Sequence, residues 1–161
     1  MKLLIRRIPE TESVFEFALS RDQIRPRLTG RPDITGFTEA RVNMRCTRVG
    51  MTVNLRGEAT LKLQYLCSRC GNDSEAVWSL PIRHVLSPRS GDRRAFDEDE
   101  GVGYHNGQDI DLDEVALEQI AVAIPEQLLC RPECKGICPD CLANLNEEPC
   151  RCRVEKNGEK S

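Results

Sequence analysis

Histidine is nearly absent: only His84 and His105 occur in 161 residues, and neither stands with an acid and a nucleophile at a catalytic spacing. No acid–base or nucleophilic centre can be read from them, and a non-enzymatic role is expected. Aromatic residues make up only 4%, and a hydrophobic core accounts for Phe15, Phe17 and Tyr65, so a base-stacking platform for single strands is not expected. Long apolar runs are missing too. The opening MKLLIRRIPE offers Leu3, Leu4 and Ile5 before Arg6 and Arg7, far short of a signal sequence, and nothing later approaches a membrane span. A cytoplasmic protein with reduced thiols and no membrane partner is the expectation. Gly101-Val102-Gly103 is followed by neither Gly-Lys-Ser/Thr nor a helix start, which excludes a phosphate-binding loop.

Strong positive charge is also lacking. A net charge of −3 and a pI near 5.5 exclude an indiscriminate polyanion binder. The average conceals an asymmetry. Residues 1–56 carry Lys2, Arg6, Arg7, Arg21, Arg25, Arg27, Arg31, Arg41, Arg45, Arg48 and Arg56 against six acids, whereas acids concentrate in 97–100 and 109–114. Arginine dominates the basic set, and its planar fork suits phosphate. Pairing with local acids on a solvated face is the plainer explanation of any single one.

Cysteine is plentiful. Six of nine fall in CRPECKGICPDCLANLNEEPCRC: Cys130, Cys134, Cys138, Cys141, Cys150 and Cys152. The Cys138-Pro139-Asp140-Cys141 knuckle brings two thiolates together over a tight turn, as tetrahedral zinc with Zn–S of roughly 2.3 Å requires. Cys150 and Cys152 complete the sphere if the intervening chain loops back. The expected ligands of one structural zinc are therefore Cys138, Cys141, Cys150 and Cys152, with Cys134 or Cys130 able to replace a member of the last pair. A disulfide framework is the alternative, but an odd cysteine count without an export signal argues against it. So polar a segment cannot bury enough apolar surface to fold alone, and metal would supply most of its folding free energy. Four thiolates leave no open position for water, which makes such an ion a scaffold.

Cys67-Ser68-Arg69-Cys70-Gly71 stands at the entry to a predicted hairpin turn. It admits three readings: half of a second metal site completed by surplus C-terminal cysteines or Cys46; a thiol–disulfide pair; or a hairpin tip whose Arg69 meets a partner. Cys46 itself reads most simply as a small core residue.

Alternating apolar residues predict short strands over 3–8 and 13–19, then a meander over 40–47, 51–55, 58–66 and 76–86 with breaks at Gly50, Gly57 and Gly71. The fold class expected is α+β: an antiparallel β-meander or partly closed barrel over 1–86, a flexible acidic loop over 87–108, a helical unit over 109–129, a zinc-binding unit over 130–152 and a frayed tail over 153–161. Within 109–129, Asp111 reads as the N-cap with Glu114 in capping-box relation, Leu112, Val115, Ala116, Ile120, Ala123 and Ile124 follow helical spacing, and Pro125 stops the helix. That helix would pack across the sheet.

Taken together, YLCSRCG and IDLDEVALEQIAVAIPEQLLCRPECKGICPDCLANLNEEPCRC resemble the YceD-like family of large ribosomal RNA subunit accumulation proteins, over about 45–152 and most densely from Asp109. The resemblance implies a non-enzymatic factor needed for normal levels of large-subunit ribosomal RNA. Leu142 follows the second knuckle cysteine where many relatives have Gly, which bears on the left-handed turn expected there. Relatives that keep the CxRC pair without C-terminal cysteines imply that the metal unit supports the fold. The expected partner is ribosomal RNA or a large-subunit precursor, met by Arg41, Arg45, Arg48 and Arg69, with a basic ribosomal protein as a further partner of the acidic loop. Two alternatives have different chemistry: a zinc-stabilised protein-binding adaptor without RNA contact, and a thiol–disulfide oxidoreductase using Cys67 and Cys70.

Overall fold

The computed structural model describes residues 1–88 and 102–152, without the side chains of Val102 and Tyr104. The acidic run 97–100 and the expected frayed tail 153–161 therefore lie outside the described residues.

Strict alternation builds the main sheet. In β4 (Ala40–Val49) Ala40, Val42, Met44 and Cys46 are buried while Arg41, Asn43 and Arg45 face water, as a period-two strand with one covered face requires. It pairs with β2 (Ser13–Leu19) on one side and β5 (Thr52–Leu66) on the other. The fifteen-residue β5 and sixteen-residue β6 (Asp73–Pro88) form a long hairpin in register from Val53↔Leu86 to Leu66↔Asp73. Beyond the end of β4, β3 (Ile34–Phe37) takes over the free edge of β5. Gly57 faces Met44, and a Cβ there would overlap the Asn43 carbonyl oxygen; this close backbone approach demands glycine.

Two features correct the expected meander. With β7 spanning Val102–His105, the order β2-β4-β5-β6-β7 is open, since β2 and β7 stand at opposite edges, so the sheet does not close into a barrel. It is also not wholly antiparallel: β7 runs parallel to β6, with Val85 opposite Val102. Residues 102–105 thus form a strand inside the stretch expected to be loop. His105 is buried there, its Nε2 2.8 Å from the Met51 carbonyl oxygen and its Nδ1 accepting from the Gly107 N–H. A separate two-stranded sheet joins β1 (Lys2–Leu4) to β8 (Asp109–Asp111).

Between β2 and β3 lies α1 (Arg21–Ile24), opened by a reciprocal Ser20–Gln23 capping box and continued by a 3-10 turn over Arg25–Leu28. The longer helix, α2 (Leu112–Ala123), covers the apolar face of the sheet with Leu112, Val115, Ala116, Leu117 and Ile120, which join Met44, Leu55, Leu61, Leu63 and Ile82 in one core. Asp111 caps it by accepting from the Asp113 N–H. Pro125 follows one residue beyond its C-cap, Ile124, as its lack of an N–H dictates. Among the described residues no helix is long and apolar enough to cross a membrane.

Two four-cysteine groups at the hairpin tip

The β5–β6 hairpin ends in Cys67-Ser68-Arg69-Cys70-Gly71, closed by Cys67 N–H to the Asn72 carbonyl at 2.9 Å and Gly71 N–H to the Cys67 carbonyl at 2.8 Å. Gly71 takes φ +73°, a left-handed turn that brings Cys70 back toward Cys67. The chain after α2 is laced to this tip. Ser68 N–H donates to the Leu128 carbonyl and Ser68 Oγ accepts from Leu128 N–H, at 2.8 and 3.0 Å. Tyr65 Oη donates to the Leu129 carbonyl, Arg69 Nη1 donates to the Cys134 carbonyl, and Ile137 N–H donates to the Arg69 carbonyl. Gly136, at φ +75°, leaves a Cβ position only 3.1 Å from the Arg69 carbonyl oxygen, so the two backbones meet closely there.

These contacts assemble the tip group: Cys67, Cys70, Cys130 and Cys134, all sulfurs within 4.8 Å of one another. Cys67–Cys134 is 3.7 Å and Cys70–Cys130 is 3.8 Å. Four residues beyond Cys134 the tail group begins, comprising Cys138, Cys141, Cys150 and Cys152 within the same limit. Its sulfurs are 3.5 Å apart for Cys138–Cys150, 3.8 Å for Cys138–Cys152 and 3.9 Å for Cys141–Cys150. Its knuckle is set by Leu142 N–H to the Cys138 carbonyl and Cys138 N–H to the Ala143 carbonyl. Leu142 adopts φ +58°, so the left-handed turn forms without glycine, at the cost of holding a side chain in a strained region.

All nine cysteines are free thiols. The separations are far too long for disulfides, whose sulfurs sit about 2.05 Å apart. They match the roughly 3.8 Å edge of a sulfur tetrahedron around a cation with about 2.3 Å bonds. Electrostatics agree with that fit. Burial opposes ionisation of Cys67, yet the backbone N–H groups of Cys130, Cys70 and Arg69 aimed at its sulfur bring it down to about 6. The N–H of Ala143, against some burial, does the same for Cys141, also to about 6. Cys152 is pushed up to about 12, chiefly by its neighbour Cys141, and Cys130 to about 12 by loss of water around its sulfur and by Cys134. Each group thus ionises in part, and the last thiolates form only when a cation offsets their mutual repulsion.

The structure brings together the four cysteines read as ligands from the knuckle spacing. Cys130 and Cys134, read as substitutes in that set, instead complete a second quartet with Cys67 and Cys70. Where spacing leads to one ion, the structure forms two groups able to hold one each. Cys46 lies in the sheet core, its thiol raised to about 11 by burial. Asn146, not singled out from the sequence, supports the tip group: its Nδ2 donates to Cys134 Sγ at 3.4 Å and its Oδ1 accepts from the Lys135 N–H and Arg131. Two such short amides in the run LANLN were its only sequence signal.

The arginines separate into two kinds. Arg41 and Arg45 are exposed on the outer face of β4, the latter 3.6 Å from Glu12. Arg48 donates to the carbonyls of Ile8 and Gly50, and Arg69 to that of Cys134, so both brace the fold.

A family model described as large ribosomal RNA subunit accumulation protein YceD matches residues 53–160. Uncharacterized proteins of Mycobacterium tuberculosis and Mycobacterium bovis are each 30% identical over 84 residues, covering 52% of this chain and 40% of the relative. An uncharacterized protein of Mycobacterium leprae is 22% identical over 108 residues, 67% of this chain and 50% of its own length. The chain spans about half or less of the length of these curated relatives. No solved structure matches it.

Proposed function

The chain belongs to the family of large ribosomal RNA subunit accumulation protein YceD, and from that premise we propose that it is a non-enzymatic, cytoplasmic factor supporting large-subunit ribosomal RNA processing or subunit assembly. In this reading both four-cysteine groups hold structural zinc. The observation that carries it is that the matched region, 53–160, coincides with the clasped unit: the β5–β6 hairpin, α2 and both quartets. Cys67, Cys70, Cys130 and Cys134 would bind one ion, and Cys138, Cys141, Cys150 and Cys152 the other. Bound zinc would supply folding free energy, not a reactive position, since four thiolates fill its sphere. RNA contact is assigned to the exposed Arg41 and Arg45, while Arg48 and Arg69, engaged by backbone carbonyls elsewhere in the fold, would add only the donors those bonds leave over.

A thiol–disulfide role would draw on the lowered thiol of Cys67. That sulfur belongs to a residue only 2% exposed, out of reach of an external disulfide, so the observation favours a metal ligand. The test is the ratio of large- to small-subunit ribosomal RNA in cells lacking the protein. A lowered ratio, restored by wild type and by Cys46→Ser, supports the proposal; an unchanged ratio contradicts it.

A further inference from the structure

The strand registers place three arginines in one line across the sheet. Arg45 of β4 lies opposite Arg56 of β5, and Arg56 lies opposite Arg83 of β6. Cross-strand partners share a face, and all three are exposed on the face opposite the core. Arg41 stands on the same face of β4. Among the described residues only Arg45 of the row has an ion-pair partner, Glu12 at 3.6 Å. In the next row of the same face, Glu16 and Glu58 accept from Asn43 and Ser79.

Like charges directly opposite one another destabilise a sheet, and this row contains two such pairs. We propose that the row Arg45, Arg56 and Arg83 is the docking surface for the phosphate backbone of RNA, a deepening that rests on the RNA reading above. Strands are about 4.8 Å apart, so the three forks form a track that meets successive phosphates, each fork bidentate. An acidic protein offers no such regular line of monoanionic phosphates, each with two oxygens for one fork. The described aromatic side chains, Phe15, Phe17, Phe37, Tyr65 and Trp78, all belong to the core side of the sheet. Without a stacking platform the surface reads charge and spacing, not base identity.

The experiment is fluorescence anisotropy of a 20-nucleotide single-stranded RNA of mixed sequence, titrated with wild type, Arg56→Glu/Arg83→Glu and Arg56→Lys/Arg83→Lys from 50 to 300 mM salt. Equal melting temperature and metal content establish that the exposed substitutions leave the fold intact. Each single-strand phosphate contact contributes about 0.7 to the slope of log affinity against log salt. Removal of two should lower the slope by about 1.4 and weaken binding about 25-fold at 0.1 M, with the lysine pair keeping most of the slope. If wild type binds with a steep salt dependence and the glutamate pair matches it, the row is overturned while the RNA reading stands. If wild type fails to bind RNA, or binds polyglutamate in preference, both fall.

Discussion

Asn146 is the residue through which the metal account is most sensitively perturbed. Its amide does two separable jobs. Nδ2 donates to Cys134 Sγ at 3.4 Å and to Asn144 Oδ1 at 2.9 Å, while Oδ1 accepts from the Lys135 N–H at 2.9 Å and from Arg131 at 3.0 Å. Burial works against ionisation of Cys134, but Asn146 and the Gly136 N–H lower its pKa. Removing an outer partner of this kind typically costs 10- to 100-fold in metal affinity, about 1.4–2.8 kcal/mol. Asn146→Ala is therefore expected to weaken the tip group by that factor and leave the tail group, whose sulfurs Asn146 does not touch, unchanged. Asn146→Asp keeps the acceptor for Lys135 but exchanges the donor for a carboxylate beside thiolates, so it should bind at least as weakly as the alanine variant. Competition with a chromophoric zinc chelator resolves the two ions as separate steps. Two unshifted steps in Asn146→Ala, or an Asn146→Asp variant equal to wild type, would refute the assignment of the N–H···S bond as the tuning contact.

Leu142→Gly should stabilise the tail group by about 0.5–1 kcal/mol, since it relieves the left-handed strain at φ +58° while only an exposed side chain is lost; a lower midpoint in guanidinium would contradict this. Gly57→Ala should cost about 3 kcal/mol or abolish folding, because its Cβ overlaps the Asn43 carbonyl and stands 2.8 Å from Met44 Cα, both backbone atoms that cannot swing aside; an unchanged denaturation midpoint would overturn the register. The Arg31 guanidinium, hydrogen-bonded at Asp33 through two nitrogens, holds that carboxyl below its usual value against some burial. A depressed folded-state pKa contributes stability above the ordinary carboxylate value that is lost as pH falls through the folded one. Wild type should therefore exceed Asp33→Asn by about 1 kcal/mol at pH 6, and the difference should shrink as pH falls below the ordinary carboxylate value, the comparison cancelling any acid loss of metal common to both.

Local patterns carried well from sequence to structure. The alternation in 40–47, 51–55 and 58–66 reappears as buried and exposed faces of β4 and β5, although Gly57, read as a break, lies inside the continuous β5, and Asp111 and Pro125 bracket α2 because capping chemistry and the missing proline N–H act within a few residues. The knuckle cysteines were legible for the same reason: both members of Cys138–Cys141 serve one turn. Non-local pairings were not. Cys67 and Cys134 are 67 residues apart, and nothing in either neighbourhood states that the hairpin tip will meet the segment after α2. Their meeting depends on the length of β5 and β6, on Ser68 bonding Leu128 and on Tyr65 bonding Leu129. The parallel β6–β7 pair was hidden likewise, since VGYH is too short to signal a strand without the edge it joins. Arg48 and Arg69, read as RNA contacts, are engaged by backbone carbonyls, which sequence cannot place. The row Arg45, Arg56 and Arg83 exists only through register.

Zinc per chain, measured on protein purified under reducing conditions, tests the central claim most directly when wild type is set beside Cys138→Ser/Cys141→Ser and Cys67→Ser/Cys70→Ser. The two quartets predict two ions in wild type and one in each double variant. One ion in wild type that survives Cys67→Ser/Cys70→Ser would dissolve the tip site, and none at all would contradict the account as a whole.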